Sequence, residues 1–404
     1  MNMKSQAYLC VSIIALMIAS CNQNKLKNDH LNQIEIDPKA LYEGKMSDLF
    51  EIVDIVFLET SELSVFSAYD ITKMRYYDGV FYFFDEWRRR GLFAFDSDGK
   101  FIRQIGKRGR GPGEYLTPRD FNINRWHNRI EIYDVLNDKI LFFSFEGEFI
   151  GEYKLVGMKA RAYEVFDPDS YVFFNDGHNK YGDDYQEIPG NFFISPVSEF
   201  SVKSVSVPTI YNYDYMNSLN PFSNHNNRVL FLSGLRDTIY SVFPEGIKPE
   251  YILRFKGDSI PSKTMEDGTD REIDTYLENN YVPGYKMYLN ETANHITFSY
   301  SYGPGLNIVF FNKETTELIN IGHKSMPIND INYINLFPPR CVMEDSLFVA
   351  LVEPSDVLKL HDSLAIEKRD NHPGLNINAF LKLEEVISKI VEDSNPFLVV
   401  YKMK

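Results

Sequence analysis

The sequence repeats one unit of paired β-strands and turns, and this repeat limits the possible folds more than any other feature. In the best alignment Asp85 lies over Asp134, an offset of 49 residues. Gly99 then lies over Gly147, an offset of 48. Each unit contains two runs of aromatic and β-branched residues and a tight turn with Gly next to an acidic residue, which is typical of β-hairpins. The chain is therefore expected to form similar small sheets one after another.

Four further strand pairs follow with the same pattern. They are residues 170–177 with 191–198, 228–246, 295–318, and 346–354 with 397–404. From Asp85 to Ala350 five intervals cover 265 residues, a mean of 53, which is near the upper end of ordinary propeller repeats. The sequence therefore predicts an all-β fold, a six-bladed β-propeller of four-stranded antiparallel blades.

The two ends of the chain are predicted to close the ring. Residues 52–58 form a strand that precedes any complete unit, and residues 397–402 form a strand at the end of the chain. Pairing these strands in one blade leaves no exposed sheet edge. Three segments do not fit the repeat and are predicted to be insertions between strands. They are residues 211–227, a short acidic helix at 269–279, and a longer helix at 375–392.

The first 32 residues are typical of an exported protein. Lys4 precedes an apolar run, residues 7–18, that is too short to span a bilayer and is predicted to be a signal peptide covering residues 1–20. Small residues directly before Cys21 resemble a bacterial lipoprotein signal, with Cys21 as the lipidated N-terminus. An ordinary signal peptide with an incidental cysteine is the alternative. Residues 21–32 are polar and predicted to be a flexible tether, and residues 33–404 a single propeller domain.

The net charge argues against one class of function, and the cysteine content argues against disulfide bonds. The formal net charge is −15, which argues against nonspecific nucleic-acid binding. Of the three cysteines, Cys10 lies in the signal and Cys21 at the lipidation site, so only Cys341 is left and no disulfide is expected in the mature chain.

One loop motif connects the chain with a known group of proteins. Gly109-Arg110-Gly111-Pro112-Gly113-Glu114-Tyr115, the preceding residues 95–106 and the terminal residues 395–404 resemble bacterial six-bladed β-propeller lipoproteins related to NHL-repeat proteins. The resemblance implies the fold and an outer-membrane lipoprotein facing the periplasm or the cell surface. It carries over no catalytic motif. Relatives with this architecture include lactonases and lyases that use a metal in the central channel.

The sequence contains no recognisable catalytic signature. Its eight His residues show no two at metal-ligand spacing on one element, and nucleophile-elbow and phosphate-binding motifs are absent. No cofactor is predicted, although a divalent metal held by one residue from each blade is not revealed by sequence spacing. Asp85 and Asp134 are expected to bind backbone amides at turns.

Strand alternation predicts a basic cluster on one face of the disc. The loops that enter a blade and the loops between its second and third strands lie on the same side. This face should carry the candidate ligand-binding residues Trp87, Arg88, Arg108, Arg110, Tyr302 and Arg340, together with Arg89, Arg90, Lys107, Lys159, Arg161 and Arg236. Such a cluster suggests an anionic ligand or partner. Alternatively, these arginines pair with acidic neighbours and only hold blades together.

Three functional hypotheses follow. The first is a lipid-anchored binding or protein-interaction module of the cell envelope, for an envelope protein, an anionic ligand or a glycan. The second is a metal-dependent lyase or hydrolase with its site in the central channel. The third is a purely structural envelope component. The absence of catalytic signatures favours the first hypothesis over the enzyme.

The predicted lipid anchor can be tested by a single substitution. Replacing Cys21 by Ser removes the thiol that would be acylated, so the variant should be released from membranes or accumulate unprocessed. Metabolic labelling with a fatty acid measures this, with Cys10→Ser as the matched control. Equal labelling of Cys21→Ser and the parent would refute the anchor.

Overall fold

Short β-strands joined by tight turns make up most of the molecule. The computed structural model describes residues 31–155, 160–175, 192–198, 203–205, 219–322, 338–356, 390–391 and 393–404. Six small antiparallel sheets are arranged in a ring, which is the predicted six-bladed β-propeller. No helix in this part of the chain is long and apolar enough to cross a membrane.

The strands are numbered in chain order, and each blade is counted from its innermost strand. The N-terminal part contributes β1 (Asn32–Ile36) and β2 (Phe50–Phe57). Blade 1 comprises β3 (Ile71–Tyr77), β4 (Val80–Asp85), β5 (Gly91–Asp96) and β6 (Phe101–Ile105). The following loop holds β7 (Lys107–Arg108) and β8 (Glu114–Tyr115). Blade 2 comprises β9 (Pro118–Asn124), β10 (Arg129–Asp134), β11 (Lys139–Phe143) and β12 (Phe149–Lys154). Blade 3 comprises β13 (Ala162–Asp167), β14 (Ser170–Phe174), β15 (Phe192–Pro196) and β16 (Lys203–Val205).

The second half of the ring repeats this order. Blade 4 comprises β17 (Phe222–His225), β18 (Arg228–Phe231), β19 (Thr238–Phe243) and β20 (Gly246–Phe255). Blade 5 comprises β21 (Pro283–Glu291), β22 (His295–Tyr302), β23 (Gly305–Asn312) and β24 (Leu318–Gly322). Blade 6 contains β25 (Cys341–Met343), β26 (Leu347–Val352) and β27 (Phe397–Met403). The described helices are α1 (Met46–Leu49), α2 (Ser262–Asp267) and α3 (Asp270–Asn280).

The first strands of the six blades surround a central channel. β3, β9, β13, β17, β21 and β25 each contact the next one around the ring, and β25 contacts β3 again. We call the side on which these inner strands begin the upper face, and the side on which they end the lower face. The loops between second and third strands therefore lie on the upper face, because the strands alternate in direction.

The hydrophobic core is divided into layers between neighbouring blades. On β4, Tyr82 and Phe84 pack against blade 2, where they join Phe121. Phe81 and Phe83 point to the opposite side and pack against blade 6. Since alternate side chains of a strand face opposite sides, a blade that is covered on both sides needs a continuous apolar run. This is why the second and third strands of each unit dominated the sequence pattern.

Ring closure occurs as predicted. β2 pairs with β27 in antiparallel register, from Phe50 opposite Met403 to Phe57 opposite Phe397. β27 also pairs with β26, so it is the third strand of blade 6 and β2 is the fourth. The blade that closes the ring is therefore built from both ends of the described chain.

β1 has a role that the sequence did not reveal. It pairs in parallel with β20 and extends blade 4 to five strands, starting at Asn32, the last residue of the predicted tether. The chain then passes over blade 5, where the amide of Tyr42 donates to the carbonyl of Asn320 at 2.8 Å. The side chain of Asn307 donates to the Pro38 carbonyl at 3.2 Å. The N-terminal segment thus links blades 4, 5 and 6.

The predicted insertions have different outcomes. The acidic helix is confirmed as α3, where Thr269 is the N-cap and forms a capping box with Glu272. The assignment of all of residues 211–227 to an insertion is wrong, because Phe222 is buried and starts β17, the inner strand of blade 4. The helix predicted at 375–392 and the lipidation site Cys21 lie outside the described residues, apart from positions 390 and 391.

The C-terminal strand should be indispensable for folding. The side chains of residues 397–401 are all at most 1% exposed. Burial of such side chains contributes on the order of 1.5–3 kcal/mol each, and their sum is comparable to the roughly 5–15 kcal/mol that stabilises a whole domain. Deletion of residues 397–404 should therefore abolish the cooperative thermal transition. Deletion of residues 22–30, in the predicted tether, is the control, and equal melting of the two truncations would contradict this account of ring closure.

Candidate functional site

The turn between β4 and β5 on the upper face is held by one buried carboxylate. Asp85 is fully buried and its oxygens accept the backbone N–H groups of Trp87 at 2.8 Å, Arg88 at 2.9 Å and Arg89 at 3.0 Å. In blade 2, Asp134 accepts the backbone N–H groups of Leu116 and Thr117 on the loop before β9, and that of Leu136 in the following turn at 3.3 Å. The expected role of both aspartates is confirmed. In blade 1 the consequence is a rigid turn with an outward-facing tip.

The tip of this turn exposes an aromatic and a cationic side chain. Trp87 is 56% exposed and the side chain of Arg88 is 78% exposed. Leu63 and Tyr69, on the loop between β2 and β3, are exposed to 70% and 75%. We call Leu63, Tyr69, Trp87 and Arg88 the upper patch.

Two arginines hold the loops of the upper patch together. The Arg88 guanidinium lies 3.4 Å from the Asp70 carboxylate. The neighbouring Arg89 donates to the carbonyls of Glu62 at 2.7 Å and Leu63 at 3.0 Å. The β2–β3 loop and the β4–β5 turn are therefore side by side.

Other predicted site residues have structural partners. Arg340 donates to the carbonyls of Ala68 at 2.7 Å and Ile71 at 3.1 Å, and lies over the ring of Tyr288. It thereby joins blade 6 to its neighbours on both sides. Arg161 pairs with Glu86 at 3.2 Å. Arg236 is buried, so it does not belong to an exposed cluster. For Arg340 and Arg161 the structure supports the alternative that these arginines hold blades together.

The remaining candidates lie in separate places. Arg108 and Arg110 are exposed on the glycine loop, where no described residue pairs with either side chain. Glu114 folds this loop back by accepting the Gly111 N–H at 2.7 Å. Tyr302 ends β22 in blade 5, with its ring against Tyr281. Within the described residues no hydrogen bond or ion pair joins Arg88 to Arg108, Arg110 or Tyr302, and Lys159 lies outside them.

The central channel contains a charged network that sequence reasoning missed. Lys73 Nζ lies 2.9 Å from Asp120 and 4.0 Å from Glu164, and all three side chains are almost fully buried. Arg75 Nη2 lies 3.3 Å from the same Glu164. The inner strands of blades 1, 2 and 3 are thus joined by ion pairs across the channel.

Backbone contacts fix this network in place. Asp120 Oδ2 accepts the N–H of Tyr163 at 2.9 Å, and Asn122 donates to the Tyr163 carbonyl at 2.7 Å. Burial lowers the pKa of the Lys73 ammonium, while the Asp120 and Glu164 carboxylates oppose that shift. Among the described residues no group of His, Cys, Asp and Glu side chains has an arrangement that could hold a metal ion.

A sequence signal for the channel residues existed. Lys73 and Arg75 are two residues apart on β3, and Asp120, Asn122 and Asn124 alternate with apolar residues on β9. A period of two places such side chains on one face of a strand. Charged residues at this spacing in the first strand of each unit therefore predict the wall of the channel.

The buried ion pair should stabilise the protein far more than a surface pair of the same length. Asp120→Asn leaves the buried Lys73 without its nearest carboxylate, which should cost about 3–5 kcal/mol. The control is Glu152→Gln, because Glu152 lies 2.9 Å from Lys139 in a more exposed position and should cost less than about 1 kcal/mol. Urea unfolding measures both, and equal shifts of the midpoint would contradict a special role for the channel pair.

Comparisons with known proteins agree with this fold. A Bacteroides fragilis NCTC 9343 structure, of a protein named as an exported protein, aligns with a TM-score of 0.75 at 18% identity and covers 92% of this chain and 100% of that chain. A DUF4221 family member from Bacteroides vulgatus ATCC 8482 aligns with a TM-score of 0.52 at 11% identity, covering 89% of this chain and 99% of that chain. At these identities the likeness concerns the fold alone.

The family assignment comes from the sequence as a whole. No curated protein matches the chain. A family model of a domain of unknown function, DUF4934, matches residues 31–402, which includes both strands that close the ring. The chain therefore belongs to the DUF4934 family.

Proposed function

We propose that this protein is an exported interaction module of the cell envelope that holds a partner protein with an acidic surface on its upper patch. The observation that carries the proposal is Trp87, which is more than half exposed on a turn held by three hydrogen bonds to Asp85. Trp, Tyr and Arg are the side chains most often responsible for binding energy in protein interfaces. The upper patch brings one of each together with Leu63.

The rigidity of the patch supports binding. Ordering flexible side chains and loops on association costs free energy, so a turn that is already fixed loses less. A protein with a formal net charge of −15 gains little from an exposed guanidinium for solubility. Arg88 suits bidentate recognition of a carboxylate on the partner. Arg108 and Arg110 are proposed to add positive potential that steers an acidic partner towards this side.

The proposed location is based on the N-terminal sequence. The residues before Cys21 resemble a lipoprotein signal, and the Bacteroides fragilis relative with the same fold is named as an exported protein. We propose that a lipid on Cys21 anchors the chain to the outer membrane and that residues 22–30 hold the propeller away from the lipid surface. For the upper patch, no observation among the described residues favours a glycan over a protein partner, and none of these residues specifically favours a metal-dependent lyase or hydrolase site in the channel.

Affinity capture from native membranes tests the proposal. Trp87→Ala combined with Arg88→Ala should reduce partner recovery strongly, since truncating one such residue costs about 2 kcal/mol or more, roughly a 30-fold loss of affinity. The melting temperature should hardly change, because exposed substitutions usually shift stability by less than about 0.5 kcal/mol each. The matched control is Ile150→Ala combined with Lys154→Ala, which removes an exposed apolar and an exposed cationic side chain from β12.

The outcomes are distinct. Loss of a specific partner in the patch variant and its retention in the control support the proposal. Equal recovery in both variants and the parent refutes it. Partner binding through Arg88 should also weaken with salt in the parent and lose part of that salt dependence in the variant.

A further inference from the structure

The channel opens on the lower face into a cavity of about 320 Å³. This volume is at the lower end of the range of about 300–1,000 Å³ that is typical of small-molecule sites. Five blades line the cavity, through Arg75–Tyr77 of blade 1, Arg125 of blade 2, residues 222–226 of blade 4, Asn290 and Glu291 of blade 5, and Cys341, Val342, Glu344 and Asp345 of blade 6. The upper patch is on the opposite side of the disc, so the two surfaces are independent.

The inner end of the cavity is fixed by Arg75. Its guanidinium donates to the Asn220 side chain at 2.9 Å, to Glu164 at 3.3 Å and to the Phe222 carbonyl at 3.3 Å. These contacts join blades 1, 3 and 4 and neutralise the positive charge. Arg75 is therefore a rigid part of the wall that carries no surplus charge for a ligand.

The wall between blades 4 and 5 has an unused acceptor. Glu291 is 2% exposed and lines the cavity. Its Oε1 accepts from Arg228 at 2.9 Å and from Lys313 at 2.9 Å. Its Oε2 accepts no hydrogen bond from any residue in the described ranges. A buried carboxylate oxygen without a donor is costly, so a ligand group that donates to it would be favoured.

Two amides of the wall also have free acceptors. Asn224 uses its NH₂ group to donate to Glu164 and to the Val165 carbonyl, and Asn290 donates to the carbonyls of Tyr288 and Pro339. The Oδ1 atoms of both asparagines accept no hydrogen bond within the described part of the chain. Together with Glu291 they make the wall rich in acceptors, to which the donor groups of a ligand can bind.

The charges in contact with Glu291 favour a neutral donor at that position, while the cavity lining also includes Arg125, Glu344 and Asp345. Arg228 is shared between Glu291 and Glu250, at 2.9 and 2.7 Å, and Lys313 completes a balanced set of two cations and two anions. Burial lowers the pKa of His225, which favours the neutral ring, while the Asp345 and Glu291 carboxylates oppose that shift. A further ammonium group at Glu291 would unbalance the set, whereas a hydroxyl donates without adding charge.

We propose that the lower cavity binds a neutral, hydroxyl-rich ligand of the size of one or two sugar rings. Its hydroxyls donate to Glu291 Oε2 and to the Oδ1 atoms of Asn224 and Asn290. Asn226, at the rim, adds an amide that can both donate and accept, as vicinal hydroxyls require. This carbohydrate site goes beyond the proposed binding of a partner protein and does not depend on it.

The direct test is titration of the purified mature chain with free sugars. Glucose, galactose, mannose, N-acetylglucosamine, lactose and maltose are the neutral probes, and glucosamine and glucuronate are charged probes of similar size. Calorimetry and saturation-transfer NMR measure binding. At least one neutral sugar should bind, and its charged counterpart should bind several-fold more weakly.

Two variants locate the site, each with a matched control. Glu291→Gln keeps the acceptor for Arg228 and Lys313 but places an amide donor at the Oε2 position, and should weaken binding at least about tenfold. Glu250→Gln removes the other carboxylate of Arg228 but lies outside the cavity lining, and should bind like the parent.

Asn226→Gly is the second variant and removes an exposed side chain together with its 3.0 Å hydrogen bond with His225 Nε2. Asn226 has a φ of 49°, which glycine adopts without strain, so the fold should be retained. Binding should weaken about two- to fivefold, as expected for a neutral hydrogen bond. Asn128→Gly, with a φ of 48° at the corresponding turn of blade 2, is the control. Thermal melting of all four variants separates loss of binding from loss of fold.

Weaker binding in Glu291→Gln and Asn226→Gly with unchanged binding in both controls supports the site. The proposal is overturned if no neutral sugar binds below about 10 mM, if a charged probe binds more tightly than its neutral counterpart, or if Asn226→Gly and a folded Glu291→Gln bind like the parent.

Discussion

The structure depends on the burial of both faces of every blade against its neighbours. A four-stranded sheet of this size cannot cover its own apolar faces, and each blade supplies one side of two core layers. On β4, Tyr82 and Phe84 pack in the core layer shared with blade 2, and Phe81 and Phe83 pack in the layer shared with blade 6. The first and the last blade of such a row each keep one apolar face exposed until the ring closes. Closure by β2 and β27 is therefore a requirement for burying blade 6 on both sides.

The closed ring separates stability from recognition. Apolar layers between blades hold the fold, while the inner strands are left to line a narrow channel. Where these strands approach each other, Lys73, Asp120 and Glu164 satisfy one another and bind backbone groups of the next blade. Towards the lower face the same kind of polar side chain is only partly satisfied, as Glu291 shows. The same inner strands thus form two parts of one channel. Side chains that pair with one another fill the first part, and the second part is the open lower cavity.

The arginines on the upper face show why residue type alone does not identify a site. Strand direction predicted that Arg88, Arg161 and Arg340 all lie on the same face of the disc. In the structure Arg340 donates to backbone carbonyls and Arg161 pairs with Glu86, whereas Arg88 is largely exposed beside Trp87. The difference lies in which acceptors each side chain reaches. Those acceptors belong to other parts of the ring, 75 residues away for Arg161 and 272 for Arg340, and local patterns carry no information about them.

The sequence by itself determined the fold class, the number of blades and the strands that close the ring, because runs of aromatic and β-branched residues and tight-turn residues are local properties. It also determined the helix that follows the N-cap residue Thr269, because the capping box lies within four residues. The tertiary structure alone decided that β1 joins blade 4, that Phe222 starts an inner strand, and that Glu291 lines a cavity with an unpaired oxygen. These features depend on contacts between distant segments, and their energies come from burial and pairing that exist only once the ring has formed.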